Sequence, residues 1–191
     1  MFDLISVGYV SLDKVKIGDR EFESCGGAAL HSALSASLFA KTGIVSRIGE
    51  DFDMSCLAGL ADSGIDLGGI KEVAGRSSRF NVSYDSLWSD TYDLVEFGVG
   101  ETISPDELPP AYFAARMLLI NSMHPEVQAG WGSLTRSYGI STAITTNYFF
   151  TKHRALGSAV LKLIHGTEFF ICNYREAVSL LGQTEYLMNY E

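Results

Sequence analysis

The sequence predicts an α/β fold built on a parallel sheet. Three observations carry that prediction: short apolar runs of strand length recur along the chain, helical stretches lie between them, and glycines mark several of the joins. The chain has 191 residues, 47% hydrophobic and 19% charged. That length suits one domain with a core large enough to need no staple, and the apolar share excludes a mainly disordered chain.

Leu4-Ile5-Ser6-Val7-Gly8 reads as a short buried first strand. Over residues 9–24, Val15, Ile17 and Phe22 alternate with Lys14, Lys16, Glu21 and Glu23, the pattern of a half-exposed strand pair. Gly26-Gly27 then opens a small-residue helix from Ala28 to Ala40, which Gly43 is expected to end. Ile44-Val45-Ser46-Arg47-Ile48 is the next strand, and a second helix is expected from about Met54 to Ser63, closed by Gly64.

The pattern changes between about Ile65 and Val99. Phe80, Val82 and Tyr84 alternate with Asn81, Ser83 and Asp85, and Tyr92, Leu94, Glu96 and Phe97 form a return strand. This stretch is expected to be an antiparallel excursion that pairs with residues 11–24. Parallel α/β then resumes with strands at Met117-Leu118-Leu119-Ile120, Ile140 to Ile144 and Phe169-Phe170-Ile171-Cys172. Ser104-Pro105-Asp106-Glu107 carries a helix-start signal, with proline and acids where the helix dipole favours them.

Lys and Arg number 14 against 23 Asp and Glu, a net charge of −9, with no basic stripe. Duplex nucleic acid and an anionic membrane are therefore excluded as expected partners. No apolar run approaches the roughly 20 residues of a membrane span, and the start lacks the basic and apolar regions of a signal peptide. Cys25, Cys56 and Cys172 are odd in number and far apart, with no C-x-x-C. They suggest neither a disulfide framework nor a zinc cluster, and they fit a reducing cytoplasm. The expected location is cytoplasmic.

Three short constellations could carry chemistry. Gly26-Gly27 before a helix lets a ligand approach the backbone and free N–H groups, or it is simply a turn. Asp13, five residues after Gly8, stands near the carboxyl end of a parallel strand, where ligands gather; a carboxylate there can accept bonds from adjacent hydroxyls, or be a solvated surface group. Asn173-Tyr174-Arg175-Glu176 reads as a capping box, or as oxygens that organise water and Mg²⁺ beside a nucleotide phosphate. His31 falls in the first turn of the glycine-led helix, within reach of a ligand held there, whereas His124, His153 and His165 read as surface or loop residues. Gly8-Tyr9-Val10-Ser11 is not the G-x-G-x-x-G of a dinucleotide site, which counts against a dehydrogenase.

The order and spacing of these signals say more than any one of them. Gly8 and Asp13, Cys25-Gly26-Gly27-Ala28-Ala29, Ser46-Arg47-Ile48-Gly49-Glu50-Asp51-Phe52, Ser63-Gly64-Ile65-Asp66 and Asn173-x-x-Glu176 together resemble the ribokinase-like (PfkB) carbohydrate kinase family. The resemblance implies a three-layer αβα sandwich with a small β lid formed by residues 11–24 and 78–98. It also implies ATP-dependent phosphoryl transfer to a hydroxyl of a sugar, polyol or nucleoside, with Mg²⁺. Asp13, Gly26 and Gly27 would hold the substrate, Asn173 and Glu176 would serve metal and phosphate, and the lid would also make a homodimer contact. His31 and the lid residues Arg79, Phe80 and Asn81 are where acceptor choice is expected, because lid side chains close over a substrate and exclude water.

Three departures stand out. His31 occupies the place of an asparagine common in the glycine-led helix, and Thr145-Thr146-Asn147 replaces Asp-Pro-Asn. The G-A-G-D segment that supplies the family's catalytic base and anion hole occurs nowhere in the sequence. The expectation is a domain truncated before the ATP-site portion and inactive alone, either part of a longer kinase or a binding protein that transfers nothing. The first case calls for a bare or partner-covered sheet edge beside residues 169–172.

Overall fold

In the computed structural model, residues 1–86 and 90–182 are described. Ten strands are arranged in two sheets among these residues. The main sheet contains β1 (Leu4–Val7), β4 (Thr42–Gly49), β5 (Asp66–Val73), β8 (Met117–Ile120), β9 (Ser141–Thr145) and β10 (Phe169–Ile171), in the order β10-β9-β8-β1-β4-β5 and parallel throughout. The smaller sheet has the order β3-β2-β6-β7, from β2 (Ser11–Ile17), β3 (Arg20–Gly26), β6 (Ser78–Tyr84) and β7 (Asp90–Glu96).

Side-chain alternation along the strands divides the main sheet's two faces. Ile44 and Ile48 of β4 point to a core shared with Ala29, Leu30 and Ala33 of α1 (Ala28–Ser37) and with Leu60 of α2 (Ala58–Asp62). Val45 points the other way, to a core with Ile5, Val7, Leu118 and Ile120, covered by Trp131 of α3 (Pro125–Tyr138) and, after the short α4 (Tyr148–Thr151), by Leu163 of α5 (Arg154–Ile164). The result is the three-layer αβα sandwich with a β lid. The small residues of α1 let it approach closely: Ser6 Oγ on β1 donates to the Ala29 carbonyl at 2.9 Å. No helix among the described residues is long and apolar enough to cross a membrane.

Several sequence expectations change. Residues 66–73 are not part of the excursion but the outer strand of the main sheet. Their glycines and charges hid it because an edge strand is covered on fewer sides, and Asp66 and Glu72 are exposed. The excursion meets residues 11–17 in parallel, since β2 pairs with β6 in parallel while β2/β3 and β6/β7 are antiparallel. Gly43 does not end a helix: α1 stops at Ser37, and Gly43 lies in β4, where a Cβ would come within 2.8 Å of the Tyr112 ring. The Ser104 signal is a true capping box, yet only one 3₁₀ turn follows (Pro105–Glu107). Pro109 and Pro110 come next, and a residue before proline is pushed out of helical conformation.

The cysteine expectation also fails in part. Cys25 on β3 and Cys56 in the 3₁₀ turn Met54–Leu57 form a disulfide with Cα atoms 6.1 Å apart, while Cys172 is free. Spacing of 31 residues could not reveal this pair, because only the fold brings lid and core segments together. The inference of a reducing compartment loses its premise. At the other end of the sheet, β10 is the terminal strand among the described residues, and Phe169 and Ile171 are each 54% exposed.

The disulfide closes a 31-residue separation between lid and core. Loop-closure entropy gives such a bridge about 3.7 kcal/mol. Cys56→Ser is expected to lower the thermal midpoint by several degrees, and a reducing agent to do the same to the unmodified chain while leaving the variant unchanged; differential scanning calorimetry checks both.

Candidate functional site

The carboxyl ends of the parallel strands and the lid enclose a cavity of about 360 Å³, within the range of small-molecule sites. Its floor is Gly27, Ala28 and His31 at the start of α1. Ser122 just beyond β8, Thr145 at the end of β9, and Thr146 and Asn147 just beyond β9 line it as well. The lid supplies Asp13 and Val15 from β2, Phe80, Val82 and Tyr84 from β6, and Tyr92 from β7. The two-residue strand period explains the selection: alternate residues face the cavity, and Lys14, Lys16, Asn81, Ser83 and Asp93 line a separate, shallow outer hollow.

Asp13 and the glycine pair fit one another. Asp13 opposes Ser24 on β3 and Phe80 on β6. A Cβ on Gly26 would overlap Asp13 Oδ2, so glycine is required for the carboxylate to lie there. Gly27 has φ +97°, and a Cβ there would overlap the Tyr9 carbonyl. Gly27 is also the residue before α1, and its carbonyl accepts from His31 N at 3.1 Å. Burial pushes the Asp13 carboxyl above the ordinary aspartate value, partly offset by Ser11, His31 and the Gly27 and Phe80 amides. None of these meets Oδ1 in hydrogen-bond geometry, so that oxygen is buried with no partner. Such an atom is costly unless a ligand or water satisfies it.

The sequence-selected residues divide into three groups. Asp13, Gly27 and His31 line the cavity, and Gly26 makes room for Asp13. Arg79 does not reach it. It lies on the opposite face of β6 from Phe80, and its guanidinium holds Asp51 at 2.6 Å. Asp51 also accepts from the Ser77 amide and hydroxyl, both at 2.7 Å. Burial alone would raise the Asp51 carboxyl, but Arg79 and Ser77 outweigh it and hold it at about 2. This cluster fastens the base of the lid to the loop after β4.

Asn173 and Glu176 lie on the same rim, beyond β10, but do not line the cavity. They form a full capping box on α6 (Tyr174–Leu181). Glu176 Oε2 accepts from Asn173 N at 2.9 Å, Glu176 Oε1 from Asn173 Nδ2 at 3.0 Å, and Asn173 Oδ1 from Glu176 N at 2.9 Å. Burial pushes the Glu176 carboxyl up. Every side-chain oxygen of the pair is already engaged, and no group of three or more His, Cys, Asp or Glu among the described residues could hold a metal ion. These bonds account for the pair as a helix cap, and the lone pair left on each oxygen is what would meet Mg²⁺ or its waters beside a nucleotide.

Sequence reasoning missed several residues. His124 is a loop residue as expected, and it is also the N-cap of α3, its Nδ1 accepting from Glu126 N at 3.4 Å. Tyr9, fully buried at the cavity wall, stacks on Phe97 at 5.3 Å, which in turn stacks on Phe150 at 5.9 Å. These rings root the lid. Their sequence positions are too scattered for any periodic pattern to join them.

No family model matches the chain. It is 29% identical over 186 residues to a cytidine kinase of Thermococcus kodakarensis, covering 95% of this chain and 65% of that protein. The ribokinase of Giardia lamblia superposes with a TM-score of 0.79 at 15% identity, covering 97% of this chain and 62% of that one. The Burkholderia thailandensis nucleoside kinase, solved in complex with inosine, gives 0.79 at 12% identity, covering 95% of this chain and 65% of that one. The chain thus spans less than two thirds of the length of each of these three.

Two expectations follow from the electrostatics. Because the native Asp51 carboxyl lies below its unfolded value, its stabilisation is full above about pH 4 and drains as pH falls toward about 2. With partial exposure, that is worth about 1–2 kcal/mol, so the thermal midpoint of Asp51→Asn should fall less than that of the unmodified chain between those pH values. Asp13 has the opposite sign. Its raised carboxyl costs stability once ionised, so Asp13→Asn should melt a few degrees higher at neutral pH, and the gain should vanish in acid. The sheet order, the lid seated over the strand ends and these likenesses together give the chain the ribokinase-like fold, with a resemblance to the PfkB carbohydrate kinases.

Proposed function

We propose that this chain binds a nucleoside or sugar and presents one of its hydroxyls for ATP-dependent phosphoryl transfer. The observation that carries the reading is Asp13 Oδ1, buried without a partner in a cavity whose roof is aromatic. A carboxylate accepts from two adjacent hydroxyls, and rings at the mouth favour a flat base beside the sugar. Phe80, Tyr84 and Tyr92 supply those rings. The names of the similar proteins point the same way, toward nucleosides and ribose.

Each residue then has a physical task. Asp13 orients the acceptor, and the glycine pair lets it sit against the start of α1. The lid excludes water, which strengthens every polar contact inside. ATP with its Mg²⁺ supplies the phosphoryl group when bound. Phosphoryl transfer depends chiefly on positioning and on stabilising charge around that group, so what these residues contribute is the placement of the acceptor.

Asp13→Ala should abolish measurable binding of cytidine and ribose in isothermal titration calorimetry while far-UV circular dichroism stays native. Unchanged affinity in a folded variant would remove Asp13 from the proposed role. The same titrations on the unmodified chain should show binding of at least one of these compounds. No heat from either would remove the proposed function.

A further inference from the structure

Two hydroxyls on the inner wall of the cavity have no part in the account so far. Ser122 follows β8 and Thr146 follows β9, and they are only 7% and 8% exposed. Both line the cavity, and neither Ser122 Oγ nor Thr146 Oγ1 has a hydrogen-bond partner. Lack of a partner is not decisive by itself, because Trp131 Nε1 is also unpartnered in the core. The two hydroxyls differ from that indole in belonging to residues that line the same cavity as Asp13.

The backbone beneath them is held for this placement. Gln128 of α3 is 1% exposed, and its Nε2 donates to the carbonyls of Asn121 and Thr145, both at 2.9 Å. Those carbonyls immediately precede Ser122 and Thr146, so one buried amide fixes the spacing of both hydroxyls. Asn121 is held in turn: its Nδ2 donates to Ser6 Oγ at 2.9 Å, and its Oδ1 accepts from Ser32 Oγ at 2.7 Å. Preorganised polar groups on rigid strand ends are what a specific site needs. Their chemistry complements Asp13, since an ionised carboxylate only accepts, whereas a serine or threonine hydroxyl both donates and accepts.

We propose that Ser122 and Thr146 are specificity-determining residues that hydrogen-bond the hydroxyls of the acceptor, selecting a ribose-bearing ligand over one that lacks a hydroxyl. This rests on the reading of the cavity as a nucleoside or sugar site. The contacts lie opposite the lid, so the acceptor is held between Asp13 on one side and these two hydroxyls on the other.

The test is calorimetric titration of cytidine, 2′-deoxycytidine and 3′-deoxycytidine into the 191-residue chain and into Ser122→Ala, Thr146→Val and Thr146→Ser. Loss of one such hydrogen bond corresponds to about fivefold to tenfold weaker binding. Ser122→Ala and Thr146→Val are each expected to show that loss for cytidine, and Thr146→Ser to bind within about twofold of the unmodified chain, since it keeps the hydroxyl. At least one deoxy compound should bind the unmodified chain more weakly than cytidine, and that penalty should shrink in Ser122→Ala or Thr146→Val, the signature of a direct pair. Cytidine binding unchanged in folded Ser122→Ala and Thr146→Val would overturn this inference and leave the proposed function standing. If Thr146→Val does not fold, Ser122→Ala and the deoxy compounds decide alone. Equal affinity of the unmodified chain for all three compounds would also overturn it. Absence of binding by any nucleoside or by ribose would instead remove the proposed function and, with it, this inference.

Discussion

The close approach of the Asp13 carboxylate to the backbone at Gly26 is the constraint on which the rest of the site depends. Oδ2 occupies the space that any larger residue at position 26 would fill. Gly27 must then take a φ of +97° to turn the chain from β3 into α1 while clearing the Tyr9 carbonyl. The Asp13 carboxylate thus requires glycine at position 26, and the Tyr9 carbonyl together with the positive φ requires it at position 27. The cost is a buried, incompletely satisfied charge, and stability is the term that bears it. A fold under no functional demand would have little reason to keep that arrangement.

The lid is fastened to the sandwich by interactions of different kinds. Asp51 binds Arg79 and Ser77 electrostatically at its base. The Cys25–Cys56 bridge holds β3 covalently to the turn before α2. Tyr9, Phe80, Phe97 and Phe150 join lid and sheet through ring contacts. Arg79 shows why motif position alone does not assign a role. One residue along a strand reverses the face, and Arg79 therefore secures the lid while Phe80 meets the cavity.

Much of the architecture was legible because it is written in local periodicity. The buried runs at β1, β4, β8 and β9 and the alternation in β2 and β6 state their own geometry. Residues 66–73 were illegible because an edge strand carries no continuous apolar run, and Gly43 misled because its reason is the distant Tyr112 ring. The partners in a strand pairing are equally non-local, which is why β6 was expected to lie antiparallel to β2. In the site, Asp13 and the glycine pair could be found from motif order. Ser122, Thr146 and Gln128 could not, since a hydroxyl or an amide acquires meaning only once burial and the lack or presence of partners are known. Asn173 and Glu176 carry both readings in sequence, and their geometry favours the cap.

The central claim is that the cavity between lid and strand ends receives a hydroxyl-bearing ligand at Asp13. A crystal structure of this chain grown with saturating cytidine tests it most directly. The account expects the ribose in the cavity with a hydroxyl within about 3 Å of the Asp13 carboxylate and the base against the lid aromatics. Cytidine bound on another surface, or a cavity holding only water at saturation, would contradict it.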